Sequence, residues 1–196
     1  RSDNVQAGQF DMYVTEPSNL NGLHGVGEVV SYIVLEAGVH TLPGGARVEA
    51  GTVATNATVG RNVTSSSWET VSLNASLETT PVVVSQPQTA NGVPFLTTRH
   101  DAIGTNSFQV ALEQEEAITT AHATETVGYL VIEPGADDWG AIAYEAQTSA
   151  TVYTDVATSL SFLQPFATAP LWLGSLATRT GGDNAHLRYQ HLTANS

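Results

Sequence analysis

The chain runs to 196 residues and sets 19 carboxylates against 6 arginines, with no lysine and no cysteine, for a net charge of −13. Phosphate neutralisation needs clustered cations, so a nucleic-acid surface is excluded; the missing thiols exclude a disulfide framework, a thiolate metal site and a cysteine nucleophile. Hydrophobic residues, 41% of the total, come in short bursts rich in Val, Ile, Leu and Thr, a pattern that argues against both disorder and membrane insertion.

In chain order, a phenylalanine-led run at Phe10 and a histidine at His24 precede Glu28-Val-Val-Ser-Tyr32-Ile-Val-Leu-Glu36-Ala-Gly38. That segment returns as Glu125-Thr-Val-Gly-Tyr129-Leu-Val-Ile-Glu133-Pro-Gly135, a constant offset of 97, again behind a histidine, His122, and a run led by Phe108. Farther on, Val71, Leu73, Leu77 and Pro81 match Leu160, Phe162, Phe166 and Pro170 at an offset of 89, as Thr89 matches Thr178 and Arg99 matches Arg188. Self-similarity at one period marks a repeated structural unit. The offset drops because the first copy carries extra residues between Gly51 and Trp68, whose composition predicts a surface loop.

One unit then reads as six strands, over 47–53, 68–77, 81–88, 95–99, 108–112 and 127–132. Phe108-Gln-Val110-Ala-Leu112 alternates with period two, whereas Val82-Val-Val84 and Tyr129-Leu-Val-Ile132 are unbroken apolar runs suited to strands covered on both faces. Pro43-Gly-Gly45, Asn91-Gly92 and Gly181-Gly-Asp-Asn184 supply turns, and 113–123 reads as a polar loop, not a helix. The expected fold is all-β: an antiparallel β-sandwich in two similar modules. Residues 45–135 form the complete module, and residues 8–38 with 140–192 form a split second one. Its halves close within one chain, or they pair with neighbouring chains through open strand edges.

The complete unit resembles an H-type lectin domain. The residues that carry the likeness are Trp68-Glu-Thr-Val-Ser-Leu, Pro81-Val-Val-Val, Arg99, Ser107-Phe-Gln-Val and Val127-Gly-Tyr-Leu-Val-Ile-Glu133. The resemblance implies a six-stranded antiparallel sandwich, often oligomeric, binding N-acetylgalactosamine or a related sugar at a shallow site. One departure stands out. Sugar-binding members have a tryptophan-histidine pair before the closing strand, where this chain reads Glu113-Gln-Glu-Glu-Ala-Ile-Thr-Thr-Ala.

Arg99, His100 and Asp101 at a strand end, with Arg188 in the matching place, are the candidate carbohydrate-binding residues; a guanidinium fork suits hydroxyls and carboxylates. Trp139, in a Gly-containing turn, is the stacking platform expected to be exposed, while Trp172 lies in an apolar run. His122 with Glu125, repeated as His24 with Glu28, reads as a tie between a loop and the last strand, because a zinc site would need a helix and a third ligand. Asp137, Asp138 and Asp183 lack the spacing of a calcium loop. No catalytic constellation, metal site or cofactor motif is found.

Sequons at Asn56, Asn62 and Asn74 point to glycosylation and a secretory route. No signal-like stretch opens the chain, so a signal peptide is expected to have been removed before Arg1. The lysine-free acidic surface suits a salty medium, where cations screen its repulsion. The function expected is therefore extracellular, non-catalytic glycan binding; the alternative is a structural filament or adhesin repeat that self-associates through strand edges.

Overall fold

The computed structural model describes residues 2–3, 9–12, 14, 17, 25, 27, 29–30, 32–93, 95–150, 153–190 and 192–194. Among them the fold is all-β, without a helix. The strands are β1 (Ser2–Asp3), β2 (Asp11–Met12), β3 (Gly38–Thr41), β4 (Arg47–Thr55), β5 (Thr58–Val59), β6 (Glu69–Ser72), β7 (Val82–Pro87), β8 (Leu96–Asp101), β9 (Ser107–Gln114), β10 (Glu125–Ile132), β11 (Gly135–Trp139) and β12 (Ile142–Ala146).

Two four-stranded sheets share one core. The first runs β3-β4-β10-β7, all antiparallel. In the second, β9 pairs with β8 along one edge, and its other edge is divided between β6 and β5. Phe108, Val110 and Leu112 of β9 alternate inward to meet Val83, Val127 and Val131 of the facing sheet. The apolar runs of β7 and β10 are unbroken because their other face is also covered. Val82, Leu130 and Ile132 pack there with Leu42, Val48, Tyr144 and Ala146, which brings the β11–β12 hairpin onto the first sheet.

The six expected strands appear at or near their expected places, with two additions. Residues 57–60, expected in a surface loop, are buried. β6 reaches only as far as Val110, and β5 joins β9 in parallel beyond it, opposite Leu112 and Glu113. This pairing takes up backbone groups that would otherwise be buried without partners. The second addition is β3, so the first sheet begins at Gly38 rather than near residue 45.

Hairpin β3–β4 pairs Gly38 with Ala50, Val39 with Glu49, His40 with Val48 and Thr41 with Arg47. Hairpin β11–β12 pairs Gly135 with Ala146, Ala136 with Glu145, Asp137 with Tyr144 and Asp138 with Ala143. Gly38 and Gly135, which open the two hairpins, both have positive φ, +135° and +154°. Beyond β12 the described residues up to 194 form no strand.

Candidate functional site

β8 delivers Arg99, His100 and Asp101 in turn, so the pleat sends neighbours to opposite faces. Arg99 points outward and is nevertheless only 4% exposed. Its Nε donates to Glu113 Oε2 at 2.5 Å, and Arg179 Nε donates to the other oxygen, Oε1, at 3.1 Å. Asn184 Nδ2 adds a bond of 2.9 Å to the Glu113 carbonyl. The irregular C-terminal segment thus lies across this face, and Arg99 serves a buried ion pair in place of a shallow pocket. A buried carboxylate needs such partners, since desolvation otherwise outweighs the attraction.

His100 points inward and is fully buried, edge-on to Phe108. Its Nε2 lies 2.7 Å from Ser85 Oγ, a hydroxyl that also donates to Thr98 Oγ1 at 2.9 Å. Burial pushes its pKa down from 6.5 to about 4; the nearby Leu176 backbone acts the other way, and the Arg99 charge adds to the fall. Asp101, at the exposed strand end, accepts the Ala102 amide at 2.8 Å. Arg188 is exposed in the C-terminal segment. Of the five candidates, then, only Asp101, Trp139 and Arg188 face solvent.

Trp139 is 39% exposed at the tip of the β11–β12 hairpin. It lines a cavity of about 350 Å³ with Leu35, Glu36, His40, Thr41 and Gly140. Sequence reasoning did not join Trp139 to His40, because the two come together only through the packing of two hairpins. A wider, open groove of about 1330 Å³ lies along β7 and β8, walled by Val30, Pro87, Leu96, Leu176 and Leu187.

Two carboxylates hold loops. Glu49, buried on β4, accepts the Asn74 and Ala75 amides at 2.8 Å each, Asn74 Nδ2 at 3.3 Å and the Tyr129 hydroxyl at 3.0 Å. Glu125 accepts Thr89 Oγ1 at 2.5 Å and the Asn91 and Gly92 amides at 3.1 and 2.9 Å, tying that turn to β10. His122 stands 3.6 Å from Glu125 and packs on Gly92, where a Cβ would strike the ring. His24 and Glu28 lie outside the described residues.

The chain is similar to halomucin. The likeness to halomucin of Haloquadratum walsbyi is 31% identity over 196 residues, 98% of this chain, and the chain spans about 2% of halomucin's length. No family model matches the chain, and no solved structure does. Among the described residues no cluster of three or more His, Asp or Glu could hold a metal ion, and no helix is long and apolar enough to cross a membrane. The sequon residues Asn56, Asn62 and Asn74 are all exposed.

Proposed function

We propose that this chain is a non-catalytic, repeated structural module of a secreted surface protein, built on an H-type-lectin-like sandwich. The observation that carries the reading is the hairpin register. The four pairs that open the first sheet recur in β11–β12, 97 residues on in the first strand and 96 in the second. The contacts around them recur as well. Glu145 Oε2 accepts the Leu163 amide at 2.7 Å as Glu49 Oε2 accepts that of Asn74, and Phe10 meets Tyr32 edge-on at 5.0 Å as Phe108 meets Tyr129 at 5.4 Å. A mucin relative and a lysine-free acidic surface support an extracellular, salty setting, and the exposed sequon asparagines would carry glycans there.

Pulling the full chain from its ends tests this reading. The module spanning β3 to β10 should give one unfolding step of about 330 Å, roughly 95 residues at about 3.5 Å each. Gradual extension without a step would end it.

Sugar binding is the second reading, favoured by the cavity that Trp139 shares with His40. An exposed indole beside an imidazole offers a sugar a stacking face and a hydrogen-bond partner. A glycan array on wild type and Trp139→Ala separates the two readings: binding lost in the variant supports the lectin, and no binding by either leaves the structural module alone.

A further inference from the structure

In the first sheet β4 has both edges filled, by β3 and by β10. Its counterpart β12 has β11 on one edge, and among the described residues no strand lies on the other. The sequence counterpart of β10 is the segment around residues 32–35, which is not in a strand and is strongly exposed: Tyr32 at 63%, Val34 at 69%. The counterpart of β7, on the far side of β10, is residues 171–176, where Leu171 and Leu173 are exposed too. A seat and the strand that fits it are therefore both open on the same molecule.

We propose that a second copy of this chain fills the seat: residues 32–35 of one copy add as an antiparallel strand to the free edge of β12 in the next. The register follows from β4–β10, where Leu130 faces Ala50 and Ile132 faces Val48. It sets Ile33 opposite Ala146 and Leu35 opposite Tyr144. Charge points to a protein partner. In a chain of net charge −13, residues 29–35 and 170–178 hold no charged side chain, the depletion that marks interface cores. Main-chain pairing supplies affinity in this mode, and the apolar pockets supply register. Each copy presents a donor and a distinct acceptor, so the contact is heterologous, and copies joined this way either close by exchanging segments or as a ring, or run on as a filament. One position departs from the pattern: Gln147 stands where Gly51 makes room for Tyr129, so the Tyr32 ring takes a different seat.

The absence of cysteine makes the test clean. Wild type should show concentration-dependent growth in mass by sedimentation, stronger at high salt, where the acidic repulsion is screened. A copy with Ile33→Cys mixed with a copy carrying Ala146→Cys should form the mixed disulfide on the order of ten-fold more than Ile33→Cys mixed with Ile142→Cys, because the strand holds the first pair at high effective concentration. Equal yields from the two mixtures would overturn the register. A wild type that stays monomeric at high salt, or a disulfide formed only within single chains carrying both cysteines, would overturn the second copy. The proposal rests on the modular reading, and the two fail separately: a normal unfolding step of the central module without cross-linking sinks only the proposal.

Discussion

The Tyr129 hydroxyl on β10 donates to Glu49 on β4, 3.0 Å across the sheet, and passes over Gly51, where a Cβ would meet the phenol. The same carboxylate holds the 74–75 turn by two backbone amides, so one buried group joins the closing strand, the opening strand and the turn after β6. Glu49→Gln should cost roughly 3 kcal/mol, because an NH2 must replace one of the two accepting oxygens and so faces donors either way, the two backbone amides or Asn74 Nδ2 and the Tyr129 hydroxyl. Gly51→Ala should displace the ring. Urea unfolding of the two variants measures both effects, and wild-type stability in either would show that the contact does not hold the sheet.

The tyrosine also sets an alkaline limit. Burial first, then the hydrogen bond and the charge of Glu49, raise its pKa from 10.0 to about 12. The folded state keeps a proton that the unfolded chain releases, so this contribution is complete below pH 10 and is lost as pH climbs towards 12. Phenolate absorbance should show Tyr129 titrating late, together with Tyr144, which is raised by burial and then by the Asp137 and Glu133 charges; in Glu49→Gln the Tyr129 titration should move back towards 10 while that of Tyr144 stays.

His100 sets the acid limit. Its folded pKa is depressed to about 4, so between 6.5 and 4 the unfolded chain takes up a proton that the folded one refuses. Stability is therefore full above pH 6.5 and falls by up to ~3 kcal/mol as pH drops to 4. His100→Gln, which can still reach Ser85, should flatten that slope in denaturant titrations over the same range. An unchanged slope would assign the acid sensitivity to another group.

Arg99 and Arg188 occupy matching places in the sequence and unlike places in the structure. Arg99→Met should destabilise by roughly 3–5 kcal/mol, since it leaves Glu113 buried with Arg179 as its remaining cation. Arg188→Ala, at an exposed position, should stay within about 0.5 kcal/mol. Thermal melts decide, and a neutral Arg99→Met would return that side chain to the surface role its sequence position suggests.

Strands were legible wherever side-chain pattern and pairing agree. The alternation at Phe108, Val110 and Leu112 is the imprint of one core-facing side, and the unbroken run at 129–132 records a strand covered on both. β5 was not legible, because its burial depends on how far β6 reaches along β9. Nor was the fate of Arg99: Glu113 lies 14 residues away and Arg179 a further 66, and nothing in a local pattern joins them. Of the strands expected in 140–192, β12 alone forms among the described residues. Neighbouring strands lend one another their backbone partners, and the segment equivalent to β10 is not paired there.

Glu125 gives the most direct check on the loop clamps. It is fully buried, its oxygens receive the Thr89 hydroxyl and the Asn91 and Gly92 amides, and the Thr126 amide bonds Thr89 Oγ1 in turn at 2.8 Å. Backbone N–H groups held by a buried carboxylate exchange slowly, because exchange requires the turn to leave the sheet. Glu125→Ala should therefore speed hydrogen exchange at Asn91 and Gly92 and lower stability by roughly 2–4 kcal/mol, while amides in β9 slow or quicken only with global stability. Glu145→Ala is the contrast: it is half-buried with one amide bond, to Leu163, and should cost under about 1 kcal/mol in the monomer. NMR exchange rates on the two variants test the assignment. Protected Asn91 and Gly92 amides in Glu125→Ala would mean that the turn is held by its own backbone and not by the carboxylate.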